Sequence, residues 1–218
     1  MGNTYGDVRT KFISRMNRRD LDTSTADGFL QDTITRIQRG LRVPAMEKAV
    51  VYNIDSTYAT NGGLFIPSDF LQMRRMAYDD KYALRKEDES IVLPTAYGAS
   101  GMPEMYCRRG GLWFLAPTPE VADTAPYDTI RVDYWAEFSA MIQTTDETVL
   151  TDIASDLMVF GALSYACDHF NDKRGDKFEA RFLQIVNDLQ GMADEDELVG
   201  GAAVQPAVFF SDDLEGTD

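Results

Sequence analysis

Residues 155–172, SDLMVFGALSYACDHFND, constrain this chain more than any other stretch. From Leu157 to Cys167 the run is apolar on nearly every side of a helix, interrupted by Ser164. A helix that is apolar all round has to be covered all round. It is too short to span a bilayer, which takes roughly 20 residues. The stretch therefore predicts a central helix, buried first by other helices of the same subunit and then by neighbouring copies. Gly161, Ala162 and Ala166 would let partner helices approach closely.

Cys167 and His169, the chain's only histidine, lie two positions apart in this run. Residues i and i+2 of a helix do not face each other, whereas a nucleophile and its base need hydrogen-bond contact. Cys167 is flanked by Leu163, Ala166 and Phe170 and reads as a small buried residue. The pair is packing, not chemistry. Cys107 is the only other cysteine. Two thiols suit a reduced setting better than a disulfide scaffold, and they fall short of the roughly four ligands of a zinc site.

The rest of the chain offers that cover and more. Val8, Phe12 and Met16 share one helical face within residues 6–18, and Leu30, Ile34, Ile37 and Leu41 share another, ended by Gly40 and Pro44. From Ala45 the period changes to that of strands. AMEKAVVYNI reads as a strand, TNGG as a turn, and LFIPSDFLQMRRMAYDD as extended chain, a short turn and a strand. KYALRKEDES is polar without a clear period. PEMYCRRGGLWFLAPTP reads as a hairpin turning at Arg109-Gly110-Gly111. In DTIRVDYWAEF, Ile130, Val132, Tyr134, Ala136 and Phe138 alternate onto one face. Trp135 breaks the opposite, polar face and is expected to be an exposed contact. After residue 144 helices return, the last with Phe178, Phe182, Ile185 and Leu189 on one stripe and Gly191 just past its end.

The expected fold is thus α+β: a helical bundle built from N-terminal (1–44) and C-terminal (144–191) helix pairs, an inserted small antiparallel β domain (45–143), and an extended C-terminal tail (192–218). No repeat is visible.

Net charge is −15, which argues against nucleic acid as the main partner. The charge is uneven. Residues 1–42 carry eight basic and five acidic side chains, whereas from Phe182 onward nine Asp and Glu stand against no Lys or Arg. Such an end suits docking to a basic surface, or simple solvation. GASGMPEMY lacks the Lys-Ser/Thr of a phosphate loop, and the acidic runs 87–89 and 194–197 lack the spacing of a calcium loop. No cofactor, metal or catalytic residue is expected. The polar first twelve residues lack the apolar core of a secretory signal.

Four stretches carry a resemblance. LFIPSDFLQMRRMAY, GMPEMYCRRGGLWFLAPTPE, TIRVDYWAEFSAM and the helical run from Glu147 to Gln190 resemble, in order and spacing, the tail-tubular and head-to-tail adaptor proteins of tailed bacteriophages. With the two N-terminal helices the likeness covers roughly residues 6–190. Ser155 stands where those proteins usually have a proline before an Asp-Leu step.

The resemblance implies a structural virion subunit, assembled in the host cytoplasm into a dodecameric ring at the head-tail junction. The ring would join the portal protein to a downstream tail, nozzle or stopper protein, with DNA passing through without sequence-specific binding and no membrane involved. It implies portal contact by the C-terminal segment, through Val208, Phe209, Phe210, Asp212 and Asp213. Arg108, Arg109, Trp135 and Met141 become candidate contacts on the tail side. Two other readings stay open on sequence: a virion-associated cell-wall hydrolase, which needs paired carboxylates with at least one perturbed pKa, and a monomeric acidic binding module.

Overall fold

The computed structural model describes residues 3–121 and 128–198. In chain order these form α1 (Tyr5–Met16), α2 (Thr23–Gly40), β1 (Glu47–Asn53), α3 (Ser56–Asn61), β2 (Leu64–Phe65), β3 (Phe70–Tyr78), β4 (Tyr82–Ala83) and β5 (Arg85–Lys86). There follow α4 (Glu89–Gly98), β6 (Met105–Arg109), β7 (Leu112–Ala116), β8 (Thr129–Ala136), α5 (Val149–Ile153), α6 (Ser155–His169) and α7 (Gly175–Leu198). The fold is α+β.

Side-chain caps start the first two helices. The Thr4 hydroxyl accepts from the Asp7 backbone N–H, and the Asp7 carboxylate accepts from the Thr4 N–H, a reciprocal cap for α1. Asp22 accepts from the Thr25 N–H at 2.7 Å and starts α2. The stripes Val8–Phe12–Met16 and Leu30–Ile34–Ile37 are buried, as their spacing predicts. They pack on α6, which touches α1, α2, α5 and α7. Leu157, Met158, Val159, Ala162, Leu163, Ala166 and Cys167 of α6 are all buried in this one helical core. The cover for the apolar helix thus comes from the subunit's own helices.

One boundary is corrected. Gly191 does not end the last helix; α7 runs through it to Leu198. A Cβ at Gly191 would meet nothing within 4 Å, so the glycine lies on an open side. The helix formers that follow carry the backbone past it, against a cost of about 1 kcal/mol for an interior glycine.

The β part is also richer than a single antiparallel domain. It holds two four-stranded sheets, ordered β1-β8-β3-β4 and β2-β7-β6-β5, and β5 pairs with β6 in parallel. The inner faces meet: Met76, Ile130, Val132 and Tyr134 of the first sheet share a core with Leu64, Tyr106, Trp113 and Leu115 of the second. Trp113 is the hub, with the Phe70 ring edge-on at 5.2 Å and the Tyr52 ring at 6.5 Å. The far face of the second sheet, with Cys107 and Ala116, is covered by Val92, Leu93 and Ala96 of α4. Phe138, expected to continue the buried face of β8, instead packs on the helical core, because the strand stops at Ala136.

Candidate functional site

The two parts meet where α2 leads into β1 and where β8 leads into α5. An apolar groove of ≈ 230 Å³ opens at this joint. Its twelve lining residues are all apolar and come from four segments: 41–45, Phe138, 149–154 and 189–193. Leu41, Leu150 and Ala154 form a buried floor. On the rim, Val149, Ile153 and Met192 are 42%, 64% and 63% exposed. Three large apolar side chains thus stand exposed around one apolar groove.

Polar contacts hold the joint. The Arg42 N–H donates to the Gln190 Oε1 at 3.1 Å, and the Arg42 Nε donates to Gln72 at 3.1 Å, so α7 and β3 are tied to the link after α2. The Gln31 amide donates to the Met141 carbonyl at 2.7 Å. Asp69 accepts from Lys48 at 2.6 Å and from the Tyr134 hydroxyl at 2.9 Å. Burial works against the Asp69 charge, yet those two donors outweigh it and hold the carboxyl below its usual range. Burial, then Asp69 itself, pushes the Tyr134 hydroxyl up to about 12.

The structure separates the residues nominated from sequence. Arg108 and Arg109 are exposed on the β6–β7 hairpin, as expected. Arg109 pairs with Glu89 at 3.3 Å, and the Arg108 guanidinium lies 5.7 Å from the Phe70 ring centroid. Trp135 and Met141 are not exposed. Trp135 is 8% exposed, with the Arg74 guanidinium 4.8 Å over its ring. Met141 is 2% exposed within the helical core, its sulfur 3.4 Å from the Thr148 hydroxyl. Alternation along β8 does not see the Arg74 side chain that β3 lays over Trp135, and Met141, past the end of β8, packs into the helical core. Val208, Phe209, Phe210, Asp212 and Asp213 lie outside the described residues.

The Cys–His question resolves as packing. Cys167 is buried and His169 is exposed, its ring against Phe29 at 5.5 Å and Phe170 at 4.8 Å. Burial pushes the Cys167 thiol up, the opposite of activation. Asp7, Asp20, Asp22, Asp69, Asp88, Asp172 and Glu179 are all held below the ordinary carboxylate range. A general acid needs the reverse shift. Among the described residues no three His, Cys, Asp or Glu gather as metal ligands, and no described helix is long and apolar enough to cross a membrane. On the outer face of the first sheet Arg131 is already matched by Asp133 at 2.9 Å and Asp80 at 3.4 Å, and Arg75 by Asp80 at 3.6 Å. That face is not a basic patch.

The family model for the SU10 adaptor protein matches residues 3–206. The chain belongs to the SU10 adaptor protein family. The match bears out the resemblance to phage head-to-tail adaptors and runs through the helical core, both sheets and α7. No curated protein is similar enough to the chain to match it. As a phage adaptor it is a structural protein that associates with other virion proteins. The groove on this adaptor was invisible in sequence, since its four segments are scattered from residue 41 to residue 193.

Proposed function

We propose that this adaptor assembles as a dodecameric ring at the head-tail junction, joining the portal protein to a downstream tail, nozzle or stopper protein around the DNA channel. The observation that carries the reading is the family match over residues 3–206, which takes in both halves of the molecule. In this reading the helices around α6 are the bundle of the ring, drawn from 1–44 and from 144 onward, and 45–143 is the inserted domain. The helical core is complete within one subunit, so ring contacts fall to its outer surfaces and to the exposed Arg108–Arg109 hairpin on the tail side.

The segment after α7 contacts the portal, with Val208, Phe209 and Phe210 as the apolar anchor and Asp212 and Asp213 meeting basic groups. Because α7 reaches Leu198, the portal-binding stretch is 199–218. The net charge of −15 suits a channel component whose wall repels DNA phosphates and lets the duplex slide. The subunit assembles in the host cytoplasm and remains in the virion.

The test is to mix the purified chain with the portal protein and measure the mass and symmetry of the complex. A twelve-fold ring on the portal is expected, and a chain lacking 199–218 should no longer bind. Undiminished binding by the shortened chain removes the role of that segment. A native particle without this subunit between head and tail overturns the reading as a whole.

A further inference from the structure

We propose that, in the free subunit, the apolar groove between α2, α5 and α7 holds the chain's own segment Ala207–Phe210. This inference stands apart from the ring and the portal: it concerns where the segment lies before any partner arrives.

The groove calls for an apolar occupant. All of its lining is apolar, and Val149, Ile153 and Met192 stand open on the rim. The path of the chain identifies that occupant. Leu189, Met192 and Ala193 of α7 line the groove themselves. The described helix reaches Leu198, five residues further on and about 7.5 Å along the axis. Val199, Gly200 and Gly201 follow in sequence, and paired glycines allow a chain to reverse at little steric cost. The stretch from 199 to Phe209 spans at most roughly 36 Å when extended, several times the distance back to the rim.

Chemistry fits as well as reach. The residues beyond α7 contain one compact apolar block ending in two aromatics: Ala207, Val208, Phe209 and Phe210. Asp212 and Asp213 follow at once. Arg42 sits in sequence between the groove residues Leu41 and Val43. Its guanidinium donates to the carbonyls of Gln38 and Leu41 and to Gln72, and among the described residues it has no carboxylate partner. In a chain of net charge −15, an arginine beside an apolar groove with no carboxylate partner among the described residues is the complement of an aromatic pair followed by two aspartates. A short tether also gives a local concentration in the millimolar range, which favours the chain's own segment over that of a second copy.

The test uses the full chain. Ile153→Cys with Phe210→Cys is oxidised at low protein concentration, beside a control pair of Tyr97→Cys with Phe210→Cys on the exposed outer side of α4. A disulfide within monomers is expected, forming on the order of tenfold faster than in the control, a factor equivalent to about 1.4 kcal/mol. In a second variant, Phe209→Asp with Phe210→Asp, amide exchange in 149–154 should rise several-fold. Cross-links between copies that grow with concentration overturn the proposal in favour of a second copy. Equal rates for the two cysteine pairs with unchanged exchange overturn docking altogether. No portal is present in either measurement, so the result is independent of the ring.

Discussion

Gly161 of α6 and Thr33 of α2 approach so closely that a Cβ on the glycine would lie 2.4 Å from the threonine methyl. The same Cβ would lie 3.0 Å from the Phe182 ring of α7. Three helices therefore cross at one residue without a side chain. Thr33 is fully buried, and its hydroxyl is satisfied by the Phe29 carbonyl at 2.8 Å. Gly161→Ala should destabilise the chain by about 1–3 kcal/mol through overpacking. Adding Thr33→Ser removes the clashing methyl, keeps the hydroxyl, and should restore part of the loss. Urea unfolding of the four-member cycle checks this; additive effects would show that the contact is not the cause.

A second tie joins the same helices. Arg36 of α2 donates from both Nη atoms to Glu179 of α7, and Ser164 of α6 donates to that carboxylate at 2.8 Å. The Arg36 hydrogen bonds, against the burial that opposes ionisation, hold Glu179 below its ordinary range. Its folded pKa thus lies under its unfolded one. The stabilisation is complete above the unfolded value and disappears as the pH falls through the folded value. The side chains are 31% and 33% exposed, so solvent screening limits the pair to about 0.5–1 kcal/mol. Glu179→Gln should cost about that much at neutral pH and should flatten the acid side of the stability profile.

Both thiols should be silent in the native state. Cys107 and Cys167 are free and buried, and burial raises each thiol above its ordinary range. A thiol reagent at mildly alkaline pH should label neither in the folded chain and both on unfolding. Rapid labelling of Cys167 in native protein would contradict its place in the helical core.

The two tryptophans should both report on stability. Trp113 is 1% exposed between the sheets, and Trp113→Ala should cost about 3–5 kcal/mol. Trp135 lies under Arg74 on the opposite side of the first sheet. Trp135→Ala should lower stability by about 2 kcal/mol, from lost burial and a lost cation–π contact. A Trp135→Ala chain of unchanged stability would return that residue to the exposed surface.

Periodicity and local capping were enough for much of the fold. They place α1, α2, β1, β3, the β6–β7 hairpin, β8 and the buried character of α6, because those signals sit within a few residues of each other. Two helices escaped that reading. α4 carries Pro94 and has no one-sided apolar pattern; only its cap, Asp88 accepting from the Ser90 N–H at 2.9 Å, marks it locally. α3 is a single short helix whose left-handed terminal residue, Gly62 at φ +68°, belongs to the TNGG read simply as a turn.

By itself, the order of residues determined that this chain is α+β, that an apolar helix lies at its centre, and that its motifs follow the adaptor pattern. Tertiary structure alone decided the split into two facing sheets, the parallel β5–β6 pair, the cover over Trp135 and Met141, and the groove. Those features depend on which surfaces from distant segments meet. Segment 41–45 and α7 meet through the fold and not through the sequence, where they lie far apart, and no local pattern records which side chain will end up beside which.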